Sequence, residues 1–368
     1  MVAAGTALDP VVVTHALGQY PVYVAPGALV QLEGLVARHL GSVPIAMIAD
    51  ASVHALLQSS RLGRGPWNGT AITFPPGEAS KTRAQWARLS DALLAGAYGR
   101  DSDIVAMGGG VAGDLAGFVA ATYLRGIPHV QVPTSLLAML DASVGGKTGV
   151  DTPRGKNLIG AFHPPGAVIA DPRALTTLPE RDYHSGMAEA VKHGLIADAE
   201  YFAWMERETD ALLGRDEAAL THLVRRSIEI KAAVVSGDER EAGRRAILNA
   251  GHTVAHALEQ ATEYRISHGE AVALGLIAEC ALAAALGVAP AGLGDRVSGL
   301  LGRLRLPVRL PAPIDSGRLV QAMASDKKNR GSAVRFALAR GLGAMSEGDR
   351  WTHPASETAI RKALETIT

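Results

Sequence analysis

Asp103-Ile-Val-Ala-Met-Gly-Gly-Gly-Val-Ala-Gly-Asp114, continuing into Leu115–Leu124, decides the fold of this chain. Residues 103–107 form a short apolar run rich in β-branched side chains, glycines interrupt it, and the chain resumes with helical character. Strand, glycine loop and helix in that order are the building unit of an α/β layer. Gly108, Gly110 and Gly113 keep the G-x-G-x-x-G spacing. Such glycines let backbone approach a pyrophosphate, and a following helix N-terminus offers free N–H groups and a positive dipole end. The same spacing also serves a turn that merely packs closely. Two details depart from the common dinucleotide fingerprint: the loop follows several strands rather than the first, and no acidic residue lies about 20 residues on.

Outward from this loop, short apolar runs recur at Val11–Thr14, Val22–Ala25, Pro44–Ala49, Thr70–Phe74, His129–Val132 and Ala167–Ala170. Amphipathic stretches such as Gly27–Leu40 and Lys81–Tyr98 separate several of them. The alternation predicts an α/β N-terminal domain with a largely parallel sheet over residues 1–178. After Leu178-Pro179-Glu180 the pattern changes. Segments near 182–197, 199–213, 216–235, 251–263, 268–286 and 291–304 read as helices, and strand signals nearly vanish until Val334–Leu338. Residues 179–368 are therefore expected to form an all-α domain.

Composition narrows the function. With 36 basic and 36 acidic residues there is no electrostatic case for nucleic acid or an anionic membrane. Cys280 is the only cysteine and lies in an apolar run, so it reads as core, and a chain without disulfides suits a cytoplasmic location. Met1–Pro10 shows no secretory pattern, and no uncharged apolar stretch reaches transmembrane length.

Two further clusters carry chemistry. Between Pro133 and Asn157, Lys147 and Lys156 each follow a glycine in segments that read as irregular loop. Loop lysines set by glycines suit phosphate or anionic oxygen, and Asn157 and Asp141 lie close in sequence. Asn249–Glu270 reads N-A-G-H-T-V-A-H-A-L-E-Q-A-T-E-Y-R-I-S-H-G-E. On a helix, His252 and His256 share a face with about 6 Å between Cβ atoms. His268 follows a break at Tyr264–Ser267. Imidazoles converging from different elements suit a divalent metal, with a carboxylate to be supplied from elsewhere. H-T-V-A-H lacks the glutamate that H-E-x-x-H peptidases use as general base, which disfavours peptide hydrolysis. From the residues alone Glu189 reads equally as a structural helix carboxylate, although Lys192 sits one turn later on its face. Lys231, Lys327 and Lys328 read as solvated charges.

Taken together, Gly108–Asp114, Asp141-Ala-Ser-Val-Gly-Gly-Lys147, Gly155-Lys-Asn157, Met187-Ala-Glu-Ala-Val-Lys192, Gly251-His-Thr-Val-Ala-His256 and His268-Gly-Glu270 resemble the 3-dehydroquinate synthases of the sugar-phosphate cyclase superfamily. The similarity runs in order over nearly the whole chain. It implies an NAD-binding α/β domain, a helical metal-binding domain and a homodimer. It implies conversion of 3-deoxy-D-arabino-heptulosonate 7-phosphate to 3-dehydroquinate and phosphate by transient NAD oxidation, phosphate elimination, re-reduction and aldol closure. Zinc or cobalt is assigned to Glu189, His252 and His268. Substrate contacts fall on Asp141, Lys147, Asn157, Lys192, Lys231, Arg245, Asn249, His256 and one or both of Lys327 and Lys328. Arg125 resembles a phosphate-binding arginine contributed across the dimer. NAD contacts fall on Asp50, Glu78, Lys81, Gly110, Val111, Ala112, Gly113, Asp114, Thr134, Ser135, Lys147, Lys156 and Thr177.

Departures from the family pattern are Ser135, Asp151 and His193, where Thr, Asn and Tyr are common. The competing readings are sister cyclases acting on carboxylate-free sugar phosphates, a metal-dependent polyol dehydrogenase, and a non-catalytic NAD-binding module. Lys231 and Arg245 speak for a carboxylated substrate, because paired cations are what a carboxylate needs.

Overall fold

The structure, a computed structural model, describes residues 9–41, 43–59, 71–241, 243–325 and 333–368. By its internal contacts the chain divides into two compact units, Met1–Leu178 with Leu220–Ala232, and Pro179–Ala219 with Ala233–Thr368.

The first unit runs β1 (Val11–His15), β2 (Gly18–Val24), α1 (Leu32–Leu40), β3 (Ile45–Asp50), α2 (Ala51–Ser59), β4 (Ala71–Phe74), α3 (Arg83–Ala95), β5 (Asp103–Gly108), α4 (Gly110–Thr122), β6 (His129–Pro133), β7 (Lys147–Thr152), β8 (Gly155–Phe162) and β9 (Ala167–Ala170). Seven strands form one sheet in the order β1-β2-β9-β6-β5-β3-β4. Among the described residues only the β1–β2 pair in it is antiparallel. The central strands β5, β6 and β9 are buried at every residue, the mark of a parallel sheet covered on both faces.

Strand alternation divides the core. Ala46, Ile48, Ile104 and Ala106 face Leu89 and Leu93 of α3 and Leu115, Ala116 and Val119 of α4. Met47, Ala49, Val105 and Met107 face the opposite way, where Leu32, Leu35 and Val36 of α1 cover them. Successive side chains on a strand point to opposite faces, so each strand serves two helical layers at once.

One sequence expectation is corrected here. The Lys147 and Lys156 segments are not irregular: β7 and β8 form an antiparallel hairpin, with Lys147 opposite Phe162 and Gly149 opposite Gly160. A Cβ on Gly160 would lie 2.1 Å from the Thr148 carbonyl oxygen, so the strands approach more closely than side chains permit. Glycine weakens the usual strand signal, which hides a ladder held together by that close approach.

The second unit begins with α5 (Glu180–Ala197), α6 (Ala199–Arg207) and α7 (Thr209–Leu213), so the expected 199–213 helix is broken in two at Glu208. It continues through α8 (Glu217–Gly237), whose residues 220–232 group with the first unit, to α9 (His252–Ala261), α10 (His268–Ala285), α11 (Leu293–Arg303) and α12 (Ser316–Ser325). Then come β10 (Val334–Phe336), β11 (Ala339–Gly341), β12 (Ala344–Met345), β13 (His353–Ala355) and α13 (Glu357–Leu364). The short strands add two two-stranded ladders, β10–β13 and β11–β12, to the helices. α10 packs against α5, α9, α11 and α13. Its length and apolarity would suffice to cross a bilayer. Here they serve a core helix, because a helix apolar on all sides must be covered on all sides. Cys280 is buried within it.

Candidate active site

In the second unit, three helices bring the predicted metal ligands together. Glu189 lies in the middle of α5 and is fully buried, His252 is the first residue of α9, and His268 is the first residue of α10. One ligand atom from each lies within 4.8 Å of the others. His252 Nε2 is 3.4 Å and His268 Nε2 3.6 Å from the same oxygen, Glu189 Oε1. Ligands about 2.0–2.1 Å from a tetrahedral zinc ion are separated by roughly 3.4 Å, so these atoms fit a zinc-sized cation.

Local structure explains the convergence. Ser267 caps α10, accepting from the Glu270 amide, while Glu270 accepts from the Ser267 amide at 2.6 Å. The Gly269 amide donates to Ser185 Oγ at 3.0 Å, one turn before Glu189 on α5. A Cβ at Gly269 would lie 1.8 Å from the Ser185 carbonyl oxygen. Glycine is what lets α10 start against α5, and the start of α10 is His268.

Electrostatics match the geometry. Burial holds the His252 imidazole well below its usual pKa, helped by the Lys192 ammonium, so it is the neutral ligand form. Burial also pulls His268 down, but the Glu189 and Glu259 carboxylates override it and push this imidazole up to about 9. A cation held by the same atoms would compete with that proton. The Lys192 ammonium forms an ion pair with Glu189 Oε2, both groups being almost fully buried.

The other candidates of this unit lie nearby in the chain. His256 is one turn past His252, with ring centroids 5.7 Å apart in an edge-on arrangement. Arg245 and Asn249 occupy the 3₁₀ segment Arg244–Asn249 that leads into α9. Arg245 is buried, donates to the Glu239 carbonyl, and has its amide held by Asp238 Oδ2 at 2.9 Å. Asn249 Nδ2 donates to Glu241 Oε1 at 2.7 Å. Lys327 and Lys328 lie outside the described residues.

Three acidic residues in this region were missed in the sequence. Glu259 is buried 3.5 Å from His268 Nδ1. Glu279 is buried and accepts from the Gly251 amide at 2.7 Å, fixing the entry into α9. Glu241 holds Asn249. The signal existed for two of them: Glu259 is two helical turns after His252, and Glu279 is an acid in the middle of an otherwise apolar stretch of α10.

The first unit gathers its candidates at the carboxyl ends of the parallel strands. The chain leaves β3 for β4 in one direction, then returns to β5 and proceeds to β6 in the other, so the strand order reverses between β3 and β5. Ligands in open α/β sheets bind outside the carboxyl ends at such a reversal. Asp50 ends β3, Gly108 ends β5, Thr134 and Ser135 follow β6, and Glu78 and Lys81 follow β4. Thr177, exposed, ends the 3₁₀ segment after β9. A Cβ on Gly108 would lie 2.6 Å from Ala112 Cβ and 3.3 Å from Asp50 Cβ. Gly110, Val111, Ala112, Gly113 and Asp114 form the first turn and a half of α4. A small cavity there is lined by Gly108, Gly109, Gly110, Gly113, Gln131 and Ser143, among others. Bare glycine backbone and the N-terminus of a 13-residue helix suit a pyrophosphate.

Around this edge the polar side chains are already engaged. Lys81 is buried and 2.5 Å from Asp114 Oδ2. Burial opposes its charge, but Asp114 and Glu78 hold its pKa above the usual lysine value. Lys156 reaches Glu78 at 3.8 Å. Asn157 takes a left-handed backbone, φ 54°, and its amide donates to Asp151 Oδ1 at 2.8 Å. Lys147 is exposed at the start of β7. Lys231, which reads as solvated from sequence alone, is 6 % exposed, and its ammonium lies 2.6 Å from Asp141 Oδ1. Arg125 is the exception. It is exposed in the turn between α4 and β6, at the amino end of the strands and away from the others in this chain.

Comparisons with known proteins give the family. The family profile for the 3-dehydroquinate synthase N-terminal region matches residues 71–185, and that for the C-terminal region matches residues 186–329. The 3-dehydroquinate synthase of Symbiobacterium thermophilum is 46 % identical over 354 residues, covering 95 % of this chain and 98 % of that protein. A 2-deoxy-scyllo-inosose synthase solved with carbaglucose-6-phosphate, NAD+ and Co2+ superposes with a TM-score of 0.87 at 26 % identity, covering 97 % of this chain and 99 % of that one. The 2-epi-5-epi-valiolone synthase of Streptomyces hygroscopicus, solved with NAD+ and Zn2+, has a TM-score of 0.84 at 27 % identity, covering 100 % and 99 %. With both family profiles matched and a named relative aligned over nearly the whole chain, the chain belongs to the 3-dehydroquinate synthase family.

Proposed function

We propose that the protein converts 3-deoxy-D-arabino-heptulosonate 7-phosphate to 3-dehydroquinate and phosphate, the ring-forming step that supplies the shikimate pathway. The observation that carries this reading is the Glu189, His252 and His268 cluster, in a chain 46 % identical to a named 3-dehydroquinate synthase. When bound, NAD supplies reversible hydride uptake, and zinc or cobalt acidifies the hydroxyl to be oxidised and polarises the resulting carbonyl. Glu189, His252 and His268 would hold the metal and leave coordination positions for substrate oxygens.

The chain's own residues do the rest. Asp50, Glu78, Lys81, residues 110–114, Thr134, Ser135, Lys147, Lys156 and Thr177 bind the dinucleotide, with the helix N-terminus of α4 on its phosphates. Lys231 and Arg245 pair with the substrate carboxylate, a task suited to charge-assisted donors. Lys192, beside Glu189, offers an ammonium to anionic oxygen near the metal. His256 and Asn249 hold the substrate phosphate, and Asp141, Lys147 and Asn157 orient the ring hydroxyls. Lys327 or Lys328 adds a further cation. The enzyme works in the cytoplasm as a homodimer, in which Arg125 serves the phosphate of a second copy. Its position at the amino end of the strands supports that role.

A phosphate-release assay with the heptulosonate phosphate, sedoheptulose 7-phosphate and glucose 6-phosphate tests the reading. Phosphate release from the first alone, without net NADH, is the expected result. Turnover of a carboxylate-free sugar phosphate would reassign the chain to a sister cyclase, and net NADH from a polyol would make it a dehydrogenase.

A further inference from the structure

We infer that Glu259 is a positioning residue that fixes the ring orientation and proton of His268, and thereby sets the affinity of the site for its divalent metal. The inference rests on the metal reading of Glu189, His252 and His268 given above. Both histidines turn Nε2 toward Glu189 Oε1, so in both rings Nδ1 must find an acceptor behind it. For His252 that acceptor is the Ala250 carbonyl at 3.1 Å, a neutral group of its own loop. For His268 it is Glu259 Oε1 at 3.5 Å, a buried carboxylate from another helix.

The two rings differ in what holds them. The His252 side chain is 11 % exposed and that of His268 29 %, so His268 has the surface along which a ring can turn. Its backbone is pinned by the capping box at Ser267 and by the Gly269–Ser185 contact, but those fix the Cα and not the imidazole. Glu259 supplies the missing constraint. It is 4 % exposed, and it sits on α9 seven residues after His252, so one helix carries a metal ligand and the partner of the next. A carboxylate behind a ligating imidazole fixes the tautomer, with the proton on Nδ1 and the lone pair on Nε2, and raises ligand basicity.

The test uses the full chain as wild type, Glu259→Gln, Glu259→Asp and a His268→Ala control. Each is stripped of metal, titrated with Zn2+ against a chromophoric chelator, and loaded with Co2+ for its visible d–d absorption. Glu259→Gln keeps the shape and removes the charge. It is expected to weaken Zn2+ binding by about 10- to 100-fold and to shift the Co2+ bands. Glu259→Asp should recover part of the affinity. Wild-type Zn2+ affinity and Co2+ spectrum in Glu259→Gln overturn the proposal. So does a lowered stripped-protein midpoint with unchanged affinity, which would make Glu259 structural. Should Glu259→Gln fail to fold, Glu259→Asn takes its place, and a wild-type affinity and spectrum in that variant overturn the proposal as well. A wild type that takes up no Zn2+, or a His268→Ala protein that binds as tightly, would instead defeat the metal reading itself.

Discussion

Glu189 has no exposed surface, and a carboxylate so placed is stable only where cations answer it. Lys192 does so in the structure, and a metal shared with His252 and His268 would do so more strongly. Glu189→Ala and His268→Ala are therefore expected to abolish turnover and metal retention together. Metal analysis and phosphate release after extensive dialysis check this, and substantial activity in metal-stripped buffer would remove the assignment. Lys231 poses a different question, because its ammonium is held by Asp141. Its removal should chiefly damage binding of the carboxylated substrate. Loss of a charge-assisted bond worth about 1.5–3 kcal/mol predicts a KM raised roughly 10- to 100-fold in Lys231→Ala. Steady-state kinetics would show it, and an unchanged KM would take Lys231 out of the substrate's contacts.

Among the elements, the start of α10 does most to build the metal cluster. Gly269 allows contact with α5 at Ser185, and Gly275 repeats the device one helix over: a Cβ there would lie 2.0 Å from the Gly251 carbonyl oxygen, at the entry to α9. Backbone touches backbone on both sides of α10, and the proposed ligands on α5, α9 and α10 converge as a result. Gly269→Ala should cost about 1–3 kcal/mol of stability by overpacking and should also lower metal affinity, since His268 must move with the helix end. Denaturant unfolding and metal titration of the same variant measure the two effects. A variant that loses neither would show that the contact can relax freely.

At the scale of the whole molecule, acid stability should depend on a residue far from any proposed chemistry. His129 begins β6, is fully buried, and stacks on His163 with ring centroids 5.1 Å apart. Neither of its ring nitrogens has a hydrogen-bond partner among the described residues. Burial first, and the neighbouring His163 second, push its pKa from 6.5 down to about 3. The unfolded chain therefore binds a proton that the folded one refuses. The stability this contributes is present above about pH 6.5 and is lost as pH falls toward 3. His129→Leu should leave neutral-pH stability equal or higher and flatten the acid limb. Thermal midpoints at pH 7 and pH 5 test it, and parallel losses in both proteins would refute it.

Much of this was readable in one dimension, because the features concerned are periodic or local. The apolar runs of β3, β5, β6 and β9 announce themselves since a strand buried on both faces needs unbroken apolar sequence. The 3.6-residue rhythm of α5 and α9, and the helix start at Ser267–His268 with its capping box, are likewise written into near neighbours. The glycine loop at 108–113 is local, and so is the His252–His256 pairing on α9. What depends on contact between distant segments could be found only in three dimensions. The β7–β8 hairpin is held by two glycines in close approach, and glycine gives no strand signal. Lys231 reads as solvated in sequence and is buried against Asp141 in the fold. Glu259 and Glu279 acquire roles only when α9 and α10 pack, because a buried charge is defined by the partner another segment brings to it. Composition and periodicity thus decided the layers, and the ordered motifs carried the resemblance that implies the chemistry, while packing decided which acids stand behind the histidines.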